Sequence, residues 1–177
     1  MTSHAAKVLS KTSPDSSPVQ VYLGLGSNIE PTESLFLGIN RLKEAFGQLE
    51  CSSIYKSNSV GFDGDPFLNL VARIETQLPL ADLYRSLRLI EFSLGRPFPA
   101  SPNSSRRFDA DILLYGNTIG TFDTVILPRP EILYNAHVLA PLAELLPGGK
   151  HPRTKKTYKE LWDSFELGNQ RIALFDG

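Results

Sequence analysis

The sequence predicts an α+β fold: one antiparallel sheet with helices against it. Three observations carry this. Hydrophobic patterns with a period of two and of 3.6 residues follow one another in the order β-α-β-β-α-β. The chain has 177 residues, the length of one ordinary domain. Short apolar segments continue past the last strand as a C-terminal extension.

Each element has its own signal. Val19 to Leu25 alternates, with Val21, Leu23 and Leu25 on one face, and reads as the first strand. Gly24, Gly26, Ser27 and Asn28 are expected to turn the chain. Pro31 and Thr32 suit a helix start, Leu35, Ile39, Leu42 and Phe46 keep helical spacing, and Gly47 stops the run. Glu50 to Ser57 reads as a second strand and Ser59 to Asp65 as a loop. Phe67 to Thr76 is the third strand, with Phe67, Asn69, Val71, Arg73 and Glu75 on one face and Leu68, Leu70, Ala72 and Ile74 on the other. Leu80, Leu83, Leu87, Ile90 and Leu94 mark a second helix, ended by Gly95 and Pro97. Gly95 to Arg107 holds three prolines and three serines, so a long mobile loop is expected there. Phe108 to Tyr115 is the fourth strand, followed by a hairpin arm over Thr118 to Leu127. Short helices are expected at Val138 to Leu146 and Thr157 to Phe165. The order is that of a ferredoxin-like βαββαβ sandwich. Residues 1–18, rich in Ser and Thr, read as a disordered leader, and residues 19–177 as a single domain.

Composition excludes several classes. There are 18 Lys and Arg against 19 Asp and Glu, a formal charge of −1. A protein that coats nucleic acid needs a basic excess, so no nucleic-acid partner is expected. No apolar run nears the ~20 residues of a membrane helix, so no membrane partner is expected either. The one cysteine, Cys51, precludes an internal disulfide framework and points to a reducing compartment, the cytoplasm.

The sharpest chemical feature is Asp109-Ala110-Asp111 on the fourth strand. Residues i and i+2 share a face, and two adjacent carboxylates repel unless something lies between them. A divalent cation resolves this, and Mg²⁺ takes one or two carboxylates completed by phosphate oxygens and water. The alternative is an exposed strand face with one Asp paired to a nearby Arg. The second feature is local charge. Arg85, Arg88, Arg96, Arg106 and Arg107 fall within a stretch whose single acid is Glu91, and the guanidinium fork suits phosphate. Arg85 and Arg88 read most simply as a solvated helix face, whereas Arg106 stands next to the carboxylate pair. Carboxylates, arginines and a loop are the parts of a phosphoryl-transfer site. Third, Asn69 is a disfavoured mid-strand amide that shares a face with Phe67, an arrangement able to hydrogen-bond and stack on a flat heterocycle. Dinucleotide, P-loop and nucleophile-elbow motifs are missing.

Taken in order, Val21-Tyr22-Leu23-Gly24-Leu25-Gly26-Ser27-Asn28, Phe67-Leu68-Asn69, Ile90-Glu91 with Gly95-Arg96, Arg106-Arg107-Phe108-Asp109-Ala110-Asp111-Ile112-Leu113-Leu114-Tyr115-Gly116-Asn117, Pro128 and Leu139-Ala140-Pro141-Leu142 resemble the 6-hydroxymethyl-7,8-dihydropterin pyrophosphokinase family of folate biosynthesis. The resemblance spans about residues 19 to 165. It implies an enzyme that moves pyrophosphate from ATP to the pterin hydroxymethyl group and releases AMP. Asp109 and Asp111 would hold two Mg²⁺ ions, and Arg96 and Arg106 would act on the transferring group. Glu91, Ile112 and Arg88 would serve the nucleotide, and Asn69, Phe67, Ser57, Val60 and His137 the pterin. A monomer handling only small-molecule partners is expected. The chain departs from the family pattern at Ser57-Asn58-Ser59, Pro102, Asn103, Ser104, Ala110, Arg129-Pro130, Asn135 and His137, the last standing where a Phe is usual. Two alternatives therefore stay open: a paralogue acting on another heterocyclic alcohol, and a non-catalytic ferredoxin-like binding module.

Overall fold

A computed structural model describes residues 17–96, 101 and 103–177. Most of the expected leader, and residues 97–100 and 102 of the expected mobile loop, lie outside the described residues.

Strand β1 (Val19–Ser27) is followed by helix α1 (Pro31–Phe46), strands β2 (Glu50–Cys51), β3 (Tyr55–Ser57) and β4 (Phe67–Thr76), and helix α2 (Leu80–Ser93). Then come β5 (Asp109–Tyr115), β6 (Gly120–Phe122) and β7 (Val125–Leu127), a 3₁₀ turn over Pro130–Leu133, α3 (Ala136–Leu145), α4 (Tyr158–Asp163) and β8 (Ile172–Leu174). The main sheet runs β5-β1-β4-β3-β8, with β2 also paired to β4, and every pairing is antiparallel. This is the expected α+β ferredoxin-like order. The hairpin of β6 and β7 also forms as expected.

Alternation along the central strands divides the core in two. Val21, Leu23 and Leu25 of β1, Leu68, Leu70, Ala72 and Ile74 of β4, and Ala110 and Ile112 of β5 pack with Leu35 and Leu42 of α1 and Leu83 and Leu87 of α2. Tyr22, Val71 and Leu113 pack with Leu139 and Leu142 of α3 and Tyr158 of α4. Burying each such Leu contributes about 1.5–3 kcal/mol, which outweighs weak local propensities. The α1 interface is close: a Cβ on Gly38 would lie 2.1 Å from the Phe108 ring. The helix thus accepts a glycine, at a propensity cost of ~1 kcal/mol, to let that ring in beneath the carboxylate strand.

Three expectations need correction. Gly24 to Ser27 do not turn. They complete β1, paired to β4 and, at Gly24 and Gly26, to β5 as well, because ladder bonds on both sides outweigh the turn preference of the glycines. The second strand is not continuous. The Ser52 hydroxyl accepts from the Val71 N–H at 2.9 Å, and pairing slips by one residue, from Cys51 opposite Ala72 to Tyr55 opposite Asn69, as at a β-bulge. Finally, the C-terminal extension holds a strand, β8, with no helical counterpart in the prediction; its ladder with β3 supplies the order that three residues lack alone.

Candidate active site

Helices α3 and α4 cover only part of their face of the sheet. Beside α3 a cavity of about 240 Å³ opens, lined among others by Gly24, Gly26, Ser57, Val60, Phe67, Asn69, Arg106, Asp109, Asp111, Arg129 and His137. Its floor is bare β1 backbone. In register, Gly24 lies opposite Asp111 and Gly26 opposite Asp109, and a Cβ on Gly26 would come within 3.1 Å of the Asn69 amide oxygen. The glycines are there to leave room.

One half of the cavity is charged. Asp109 and Asp111 point the same way from β5, while Ala110 and Ile112 face the α1–α2 core. Asp109 Oδ1 lies 2.8 Å from Arg96 Nη1 and 3.1 Å from Arg106 Nη1. Asp111 stands 3.5 Å from Arg88 and 3.6 Å from Arg129. Behind them Glu91 is fully buried. It accepts the Ala110 N–H at 2.8 Å and pairs with Arg96 at 2.6 Å and Arg88 at 2.9 Å, fixing both guanidinium groups relative to β5. Arg88 also lies over the Tyr84 ring. A buried acid serving two arginines and a main-chain amide holds the arginines in place whether or not a ligand is present.

The carboxylates do not titrate alike. Burial works against the Asp109 anion, but Arg106, a hydrogen bond from Asp111, Arg88 and Arg96 together hold its carboxyl below the usual range. Burial, then the neighbouring Asp109 charge, pushes Asp111 up to about 7 against the pull of Arg129 and Arg88. Burial and Asp109 likewise push Glu91 up to about 8, against Arg88, the Ala110 amide and Arg96.

The Asp109 charge that pushes Asp111 up is the repulsion of two carboxylates on one face of β5, and a divalent cation beside them would relieve it. Among the described residues no cluster of three or more His, Cys, Asp or Glu could hold a metal. Two carboxylates beside arginines fit an ion that brings oxygen ligands of its own, as Mg²⁺ does on a polyphosphate.

The other half is neutral. Asn69 is 6% exposed, and its amide donates to Ser57 Oγ at 2.8 Å, which fixes the amide orientation and leaves its oxygen toward Gly26. Phe67 meets Phe62 edge to face at 6.2 Å. Val60, Asn58, Asn135 and His137 complete the lining of this half. Burial holds the His137 imidazole below its ordinary range, more than Glu131 raises it, so His137 presents a neutral ring at neutral pH.

Of the predicted residues, Asp109, Asp111, Arg106, Asn69, Phe67, Ser57, Val60 and His137 line the cavity. Arg96, Arg88 and Glu91 stand behind the carboxylates. Arg88 is not a solvated helix residue, because Glu91 and Asp111 draw it inward; Arg85 is one, paired with Asp82 on the surface. The Ile112 side chain is 2% exposed in the core. Sequence reasoning missed Arg129, Glu131 and Asn28. Arg129 reaches Asp111 because its N–H donates to the Leu113 carbonyl at 2.9 Å, a long-range bond without a local signal. Asn28, 4% exposed, accepts from the Arg106 N–H at 2.7 Å and donates to Ser105 Oγ and the Asp65 carbonyl. It ties the Arg106 segment to the Ser59–Asp65 loop.

Comparison with known proteins finds relatives over most of the chain. A family model described as 7,8-dihydro-6-hydroxymethylpterin-pyrophosphokinase matches residues 22–147. The 2-amino-4-hydroxy-6-hydroxymethyldihydropteridine pyrophosphokinase of Aquifex aeolicus is 33% identical over 144 residues, 79% of this chain and 88% of that protein. The protein of the same name from Haemophilus influenzae is 33% identical over 131 residues, 72% of this chain and 81% of that one. A crystal structure of Plasmodium falciparum HPPK-DHPS superposes with a TM-score of 0.67 at 13% identity, covering 86% of this chain and 44% of the larger one; it supports the fold.

Proposed function

The chain belongs to the 7,8-dihydro-6-hydroxymethylpterin-pyrophosphokinase family, and we propose that the cavity between β5 and α3 is where it carries out that family's reaction. The activity is 2-amino-4-hydroxy-6-hydroxymethyldihydropteridine pyrophosphokinase: pyrophosphate passes from ATP, the co-substrate, to the pterin hydroxymethyl group in folate synthesis. The observation that carries the siting is the pairing of Asp109 and Asp111 with Arg88, Arg96, Arg106 and Arg129 at one end of a cavity whose other end is neutral.

In this reading Asp109 and Asp111 would be the protein ligands of two magnesium ions. Bound there, magnesium neutralises phosphate charge and makes the β-phosphorus a better electrophile. Arg96 and Arg106 exchange carboxylate for phosphate oxygens as the nucleotide arrives and stabilise the charge that moves in the transition state. Glu91 keeps Arg88 and Arg96 aimed. The Ile112 side chain is committed to the core, which leaves its main chain to meet the nucleotide. Asn69 hydrogen-bonds the pterin edge, Phe67 and His137 flank its ring, and Ser57 and Val60 close the slot. The pterin hydroxyl then attacks the β-phosphorus and AMP leaves, so catalysis is mostly positioning and electrostatics.

Residues 19–177 act as one domain and as a monomer in the cytoplasm; the free, exposed thiol of Cys51 suits a reducing compartment. Among the described residues no helix is long and apolar enough to cross a membrane. Incubation with ATP, Mg²⁺ and hydroxymethyldihydropterin yields AMP and the pterin pyrophosphate; formation of ADP, or no turnover, overturns the reading. His137 and Asn135 in the cavity wall favour a second reading, a different heterocyclic alcohol. Calorimetry with the pterin and a non-hydrolysable ATP analogue decides between them: micromolar binding excludes the second.

A further inference from the structure

The matched family model ends at residue 147, yet three consecutive residues beyond it touch both walls of the neutral half-cavity. Gln170 spans the start of α3. Its Oε1 accepts from the Ala136 N–H at 2.7 Å and its Nε2 donates to the Tyr134 carbonyl at 2.9 Å. Arg171 meets the opposite wall: its N–H donates to Asn58 Oδ1 at 3.0 Å, and its carbonyl accepts from the Asn58 N–H at 3.4 Å. Ile172 then pairs with Ser57 at the start of the β3–β8 ladder.

The bond to Ala136 matters because of what α3 lacks. Its N-cap, Asn135, makes no side-chain cap hydrogen bond, although the first N–H groups of any helix need partners from outside. Gln170 supplies that acceptor from a distant part of the chain. The helix start so held carries His137 and Val138 into the cavity, with Asn135 beside them, while Asn58 and Ser57 line the facing wall.

We propose that Gln170 is a positioning residue for the heterocycle: it caps α3 in trans, and the segment Gln170-Arg171-Ile172 sets the width of the slot between the His137 wall and the Ser57–Asn58 wall. This rests on reading the neutral half-cavity as the pterin site. The charged half shares none of these bonds, so the effect is confined to one substrate.

Steady-state kinetics on the full chain tests it. Gln170→Ala raises KM for the pterin about ten-fold, the loss of two hydrogen bonds, with KM for ATP and kcat within about two-fold of the unchanged chain. Gln170→Glu keeps the acceptor toward the helix start, where negative charge is welcome, and recovers part of the loss. An unchanged pterin KM in Gln170→Ala, or KM values for both substrates rising together, overturns the proposal. If the unchanged chain does not turn over the pterin, the functional reading fails separately. Amide hydrogen exchange at Ala136 to Val138 then decides: faster exchange in Gln170→Ala supports the trans cap, and unchanged exchange removes it.

Discussion

The two halves of the cavity are built on different principles. The charged half comes mainly from one stretch of chain, Arg88 to Asp111, in which every acid has at least one arginine within 4 Å. The neutral half is gathered from Ser57 to Asn69, Asn135 to Val138 and the C-terminal segment at Gln170 to Ile172. It rests on hydrogen bonds and backbone pairing. Electrostatics can organise a site from residues close in sequence because paired charges attract over several ångströms. A slot for a neutral ring needs two walls at a fixed spacing, and only distant segments packed on a sheet supply them.

The largest expected effect lies in the charged half. Asp109→Ala lowers AMP formation by on the order of 10³-fold or more, since it removes the anion that holds Arg96 and Arg106 together and, on the proposed reading, a magnesium ligand. Far-UV circular dichroism remains that of the folded chain. Residual activity within ten-fold of the parent breaks the division of labour drawn above.

Next is pH. Asp111 titrates near 7 in the folded protein and near 3.9 when unfolded. Its proton therefore favours the folded state at low pH, and that contribution is lost as pH rises through about 7. Glu91, pushed up to about 8, acts in the same direction. On the proposed reading magnesium nucleotide needs the Asp111 anion, so kcat/KM for ATP rises about ten-fold per pH unit below about 7 and then levels. The pterin dissociation constant, governed by uncharged groups, stays nearly flat over the same range. A pH-independent kcat/KM for ATP, or parallel pH profiles for both substrates, contradicts the split.

The smallest effect belongs to the neutral half. Asn69→Ala removes the amide and leaves Ser57 Oγ without its donor. Pterin KM rises about ten-fold, the worth of one or two buried hydrogen bonds, and ATP KM changes by less than about two-fold. Equal changes in both KM values show that Asn69 also organises the carboxylates through Gly26, its register partner.

The sequence by itself determined the strands and helices with long patterns, the common face of Asp109 and Asp111, and the common face of Phe67 and Asn69, because alternation along a strand is a local rule. It also indicated the kind of chemistry, since it sets arginines and paired carboxylates, the residue types that suit phosphate and magnesium, within about two dozen residues of one another. Tertiary structure alone decided that Gly24 and Gly26 form a floor rather than a turn, that Arg88 turns inward to Ala110 and Asp111 of β5, that Arg129 reaches Asp111, and that β8 exists at all. Each of these depends on a partner far away in the chain, Leu113 for Arg129 and Tyr55 to Ser57 for β8. A contact of that kind leaves no periodic trace in the residues that make it; it forms because the packed sheet has already offset the entropy of bringing the segments together.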